Sequence, residues 1–210
     1  MKNKMIRRSL TKKMRLLEDK IVNCNKCERF RFLRESLDWY SRPEIGTLFR
    51  KQPILLVGRN PGSGTKKLNP LDKNYFLRTE RRKFVKHSTV GKFFKEFNLT
   101  LQDAWLVNLV KGKTLFDESP TKLEIQNCLV WLKKQIRLAK PKLIVGFGQV
   151  VNSTLFPNAE FGKLTKTKLF GIETTILPTY HPSYLFRLDK KRFKEEKKRL
   201  LQRLKRFRKN

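Results

Sequence analysis

A chain of 210 residues is most simply one domain with room for a substantial core, and 39% hydrophobic with 11% aromatic residues describes a globular protein rather than a disordered one. The excess of 50 Lys+Arg over 18 Asp+Glu, a formal net charge of +32, makes a polyanion the first partner to consider, because each neutralised phosphate releases counterions. Acidic membrane surfaces and acidic proteins come second. No run of about 18 apolar residues is present, so no membrane span is expected. The N-terminus (Met1-Lys-Asn-Lys-Met-Ile-Arg-Arg8) has no hydrophobic signal core, which makes the expected location cytoplasmic. Three cysteines do not make a disulfide framework.

Leu10, Met14, Leu17 and Ile21 recur at helical spacing and predict an amphipathic helix over about residues 9–22. Cys24-x-x-Cys27 follows, a pair with metal or redox potential but little specificity alone. The chain then reads as irregular through Trp39 to Gly46, with Pro43 and Gly46 marking turns. Ile54-Leu-Leu-Val57 has no polar alternation and predicts a strand buried on both faces, as in a parallel sheet. It runs into Gly58-Arg-Asn-Pro-Gly62 and Gly64, a loop whose glycines let backbone approach a ligand. From Arg59 to His87 the chain is basic and dotted with Tyr75, Phe76 and Phe84, and a loop of this length usually has a function.

Ser88 is a candidate cap for a helix to about Asn98, with Val90, Phe93, Phe94 and Phe97 facing inward. Ala104 to Val110 reads as a second buried strand, interrupted by the amide of Asn108. Thr121 and Glu124 form a capping-box pattern opening a helix to about Ala139 that carries Cys128 and Trp131. Lys142 to Gly148 is a third strand, with a helix from Gln149; Phe161 to Phe170 reads as a connecting loop or ribbon, and Glu173 to Tyr180 as a fourth strand. From Lys190 a basic helical extension presents Phe193, Leu200, Leu204 and Phe207 along one face, and its role is either docking on the domain or contact with phosphate. Strands alternating with helices predict a three-layer α/β/α fold around a mainly four-stranded parallel sheet, in a single domain over residues 1–210.

Ligands of open parallel sheets bind beyond the carboxyl ends of the strands. Those ends carry Gly58 with Asn60, Asn108 with Lys111, Gly146 with Gly148, and His181 with Ser183. An amide inside an apolar strand is costly unless its hydrogen-bonding positions are met, and an Asn can match the donor and acceptor edge of a pyrimidine. A neutral imidazole N–H can stabilise charge growing on a carbonyl oxygen.

Gly58-Arg-Asn-Pro-Gly62 and His181-Pro-Ser183 resemble the two signature motifs of the uracil-DNA glycosylase superfamily. Over roughly residues 20–190, Cys24-x-x-Cys27, Asn108, Lys142-Leu-Ile-Val-Gly-Phe-Gly148 and His181-Pro-Ser-Tyr-Leu-Phe-Arg187 are similar to the iron–sulfur families 4 and 5, and Tyr40 to Gly46 is similar to a segment of family 5. The Gly-x-Asn-Pro-Gly form resembles instead the mismatch-specific and single-strand-selective branches. Family 4 has an acidic residue where this chain has Arg59, and Ala or Gly where it has Asn60.

The resemblance implies a monofunctional DNA glycosylase of base excision repair, acting as a monomer on DNA that contains uracil or another deaminated base. It implies that Asn60 orients water, that His181 stabilises the departing base anion, and that Asn108 reads the base. Phe84 would stack on the base, with Tyr75 and Phe76 as reserves, while Gly58, Gly62 and Ser183 line the pocket. Tyr184 and Leu185 would press into the DNA, and Lys111 and Arg187 would touch phosphates. Two other readings stand beside it: a catalytically silent nucleic-acid-binding member of the fold, and a glycosylase for hypoxanthine or xanthine. The chemistry requires no cofactor. The family's four-iron cluster would draw on Cys24, Cys27 and Cys128, but Gly112 stands where the remaining ligand belongs, and three thiolates are too few for a four-cysteine site. Cluster loss, an unusual fourth ligand and a different metal are the alternatives, and no intact cluster is expected.

Overall fold

The computed structural model describes residues 2–36, 46, 51–61, 89–114 and 118–208. Helix α1 (Lys2–Val22) starts well before residue 9, and α2 (Glu28–Ser36) lies where the sequence reads as irregular. Strand β1 (Ile54–Gly58), helix α3 (Thr89–Glu96), strand β2 (Ala104–Asn108) and helix α4 (Lys122–Ala139) follow. Then come β3 (Leu143–Phe147), α5 (Gln149–Leu155), β4 (Thr165–Leu169) and β5 (Ile172–Thr179). A single helical turn, α6 (Pro182–Leu185), and α7 (Lys190–Lys205) complete the described chain. Ser88, the expected cap of α3, lies outside the described residues.

Among the described residues the sheet has five strands, in the order β2-β1-β3-β5-β4. β2, β1, β3 and β5 are mutually parallel, as their apolar runs predict, and β4 adds an antiparallel edge on β5. That edge strand, Thr165-Lys-Thr-Lys-Leu169, alternates exposed lysines with half-buried residues, a composition that discourages further strand addition.

Alternation along the strands divides the core in two. Leu55 and Val57 face one side with Trp105, Val107 and Ile144, where Met14, Leu17 and Ile21 of α1 and Trp131, Leu132 and Ile136 of α4 cover them. Ile54 and Leu56 face the other side with Leu106, Val145 and Leu177, beneath Phe93, Phe94 and Phe97. Leu200 and Leu204 of α7 close that second core, so the basic helix is built into the fold rather than appended to it. Helices therefore flank the sheet on both faces, giving three α/β/α layers. The Thr121 capping box opens α4 as expected: Thr121 Oγ1 accepts from Glu124 N (3.2 Å), and Glu124 Oε2 accepts from Thr121 N (2.8 Å). Among the described residues no helix is long and apolar enough to cross a membrane.

Candidate active site

The parallel register brings Gly58 opposite Asn108 at the carboxyl edge of the sheet. A Cβ on Gly58 would lie 2.6 Å from Asn108 Oδ1, so only glycine allows the amide to lie across the end of β1. Beyond the strands the two segments stay paired: Leu109 N donates to Gly58 O at 2.8 Å and Val110 N to Arg59 O at 2.9 Å. This pairing holds Arg59 and Asn60 over the sheet edge.

The Asn60 amide is held at both ends. Arg59 Nε donates to Asn60 Oδ1 at 2.6 Å. Asn60 Nδ2 donates to Thr114 Oγ1 at 2.9 Å and to Pro61 O at 3.2 Å. Because a guanidinium can only donate, the oxygen and nitrogen of the amide are assigned by their partners. A carbonyl oxygen has two lone pairs, so Oδ1 can still accept from a water while bonded to Arg59. Thr114 is almost fully buried, and no motif marks it in the sequence.

His181 follows the end of β5, where its main chain is braced by α5: Asn152 Nδ2 and Gly148 N both donate to Thr179 O, at 3.1 and 2.9 Å. Ser183 N donates to His181 Nδ1 at 3.2 Å, with Ser183 Oγ 2.7 Å from the same nitrogen. An amide N–H cannot accept, so Nδ1 is the acceptor and the neutral ring carries its proton on Nε2. Burial first, then the positive charges of Arg59 and Arg187, hold the His181 pKa below its usual value. The ring is thereby kept neutral and ready to donate from Nε2.

Other expected residues fall differently. Tyr184 and Arg187 are exposed beside His181, as a DNA-facing role requires, but Leu185 is buried in the second core. One helical turn explains the split: α6 points consecutive side chains in different directions, so Leu185 anchors the turn instead of entering DNA. Lys111 is also buried, and its Nζ donates to Asn108 O at 2.6 Å and to Gln135 Oε1 at 2.7 Å. Desolvation lowers its pKa to about 7 against a weaker opposing effect of Cys128. It braces the strand carrying Asn108 and has no access to a phosphate. Gly62, Tyr75, Phe76 and Phe84 lie outside the described residues.

The family model of the uracil DNA glycosylase superfamily matches residues 46–205, the span that contains all of this geometry except the cysteine pair. The chain belongs to the uracil DNA glycosylase superfamily. Its relatives include a Type-4 uracil-DNA glycosylase of Saccharolobus solfataricus, 25% identical over 80% of this chain and 74% of the relative. A Type-4 uracil-DNA glycosylase of Pyrobaculum aerophilum is 23% identical over 81% of this chain and 83% of its own length.

In the cysteine region an aromatic ring occupies the space beside Gly112. A Cβ on Gly112 would lie 2.4–2.6 Å from three ring carbons of Phe30, so the phenyl ring fills the space that a ligand side chain at 112 would need. Phe30 is buried on α2. Its neighbour Arg29 fixes that helix to α4 through two 2.8 Å bonds to Glu124 and reaches Glu118 at 2.8 Å. The sulfurs have partners within the fold: Trp131 Nε1 donates to Cys24 Sγ at 3.3 Å, and Lys111 N to Cys128 Sγ at 3.4 Å. Asn127 Nδ2 lies 3.6 Å from Cys27 Sγ. Among the described residues, no group of three or more His, Cys, Asp or Glu side chains is placed to hold a metal ion. With one donor position filled by an aromatic ring, these residues do not fit a four-iron cluster.

Proposed function

We propose that this protein is a monofunctional DNA glycosylase that hydrolyses the N-glycosidic bond of uracil, or of a related deaminated base, in base excision repair. The observation that carries this reading is the placement, beyond the carboxyl ends of β1 and β5 on either side of β3, of an oriented Asn60 amide and a neutral His181 whose proton is on Nε2. The names of its relatives, Type-4 uracil-DNA glycosylases, support uracil as the base. The substrate is uracil-containing DNA, so the protein works where that DNA is, in the cytoplasm, and as a monomer, since one chain supplies the proposed catalytic pair.

The glycosidic bond is shielded in a duplex, so the nucleotide leaves the stack before reaction. As the C1′–N1 bond breaks, its electrons leave with the base and positive charge grows on the sugar. The Nε2–H of His181 donates to O2 of uracil, where the negative charge accumulates. Asn60 Oδ1 accepts from the attacking water, whose oxygen joins C1′ and whose released proton leaves with the base or to solvent. Arg59 keeps that amide in one orientation. Asn108 reads the far edge of the base, with Gly58, Gly62 and Ser183 around it and Phe84, or Tyr75 or Phe76, stacked on its face. Tyr184 occupies the vacated stack and Arg187 meets phosphate. No step involves a metal.

Release of free uracil from single-stranded and U:G-containing oligonucleotides tests this. Asn60→Ala and His181→Ala are each expected to slow release by on the order of 10² or more. Wild-type rates in both variants would refute the assigned roles.

A further inference from the structure

Beside His181 stands a cluster of rings of which excision uses only Tyr184. Phe161, Tyr180 and Tyr184 form a ladder of rings, with centroids 4.4 Å apart between the first two and 4.7 Å between the last two. Tyr180 is half-buried against the second core, but Phe161 and Tyr184 are 48% and 43% exposed. Two large aromatic rings open to solvent at one place lose the stabilisation that burial would give them. Their position is nevertheless firmly set. The Phe161-Gly162 turn is tied to β5 by a 2.8 Å bond from Gly162 N to Pro178 O, and Tyr184 is fixed by α6.

The surroundings are cationic. Arg187 is close enough to His181 to depress its pKa, and an Arg203 terminal nitrogen lies 3.6 Å from where a Cβ on Gly162 would be. The acidic neighbour Glu160 is paired with Lys163 at 2.8 Å, leaving Arg187 and Arg203 to set the local sign. Exposed rings flanked by arginines match one class of ligand. Every nucleobase has a π face that stacks on an aromatic ring, and the backbone between bases is drawn to the cations. A base inside a duplex has both faces covered by its neighbours, whereas an unpaired base has a face to offer.

We propose that the Phe161–Tyr180–Tyr184 ladder is a stacking platform for unpaired bases of the strand that runs past His181, so that single-stranded DNA is its ligand. The direction of that strand rests on the glycosylase reading; the platform's preference for unpaired bases can be measured without it.

The test uses fluorescence anisotropy with short uracil-free oligonucleotides, one a dT single strand and one a fully paired duplex. Phe161→Ala is expected to weaken single-strand binding about tenfold and duplex binding by less than about twofold. Phe161→Trp should restore the single-strand affinity, and Phe32→Ala, which removes an exposed ring on α2, should leave both affinities unchanged. The salt dependence of binding should be the same in Phe161→Ala as in wild type, because no phosphate contact is lost. Equal losses for strand and duplex, or no loss for the strand, would overturn the platform. Uracil-free DNA keeps the two proposals apart: a wild-type protein that binds as described but releases no uracil would refute the glycosylase reading alone.

Discussion

Replacing Arg59 with methionine, a side chain of similar reach, removes two separable contributions. The first is the 2.6 Å bond from Nε to Asn60 Oδ1. A hydrogen bond from a charged donor contributes roughly 1.5–3 kcal/mol, and if that orientation is needed in full at the transition state, its loss slows excision about tenfold to hundredfold. The second is one of the two positive charges that hold down the His181 pKa. Its folded-state value is depressed, so the neutral, donating ring persists as pH falls until that lowered value is reached. Without Arg59 the pKa rises toward normal, and the acid limb of the rate profile moves to higher pH; burial, the largest cause, remains, so the move is partial. Arg59→Lys separates the two contributions: it keeps the charge and the position of the limb, but loses the planar Nε donor and part of the rate. The assay is single-turnover uracil release between about pH 5 and 8, where histidine titrates. A methionine variant with wild-type rate and an unmoved acid limb would refute both contributions.

Protein purified from iron-supplemented cells should contain iron well below the complement of a four-iron cluster and show no cluster absorption band. Gly112→Cys alone should not create one, because Phe30 fills that position. A full complement in the wild type, by metal analysis and visible spectrum, would contradict the fit described above. Glu18, buried on α1, has its pKa raised to about 7, by burial first and then by Asp19. Its ionisation therefore costs nothing below the unfolded value, costs progressively more as pH rises toward 7, and is fully felt above it. Glu18→Gln should raise the unfolding free energy by about 1–3 kcal/mol at pH 8 and leave it unchanged at pH 4, as read from denaturant titrations.

The central strands are legible in the sequence because each is buried on both faces, and burial on both faces leaves an uninterrupted apolar run such as Ile54 to Val57. β4 is less so: its alternating Thr and Lys residues belong to a half-exposed edge, and without knowledge of its neighbour the stretch reads as a connecting loop or ribbon. Helix α2 escapes a sequence reading because, among its described side chains, only Phe30 and Leu33 are buried, amid charged residues that obscure the period. In the site, Asn60, Asn108 and His181 stand out as polar groups at the ends of buried strands. Thr114 and Asn152 do not, since a hydroxyl or amide that braces another residue has no signature apart from its partner. Lys111 and Leu185 are expected to be DNA contacts only through the family resemblance. The path of the backbone turns both inward, and that path depends on contacts distant in sequence, such as the bond from Lys111 to Gln135.

Release of free uracil under single-turnover conditions, in the presence of a chelator, tests the central claim most directly. A U-containing oligonucleotide should yield free base and an abasic strand with wild-type protein, and on the order of 10²-fold less with Asn60→Ala or His181→Ala. No free base from the wild type on single-stranded or U:G substrates would contradict the account.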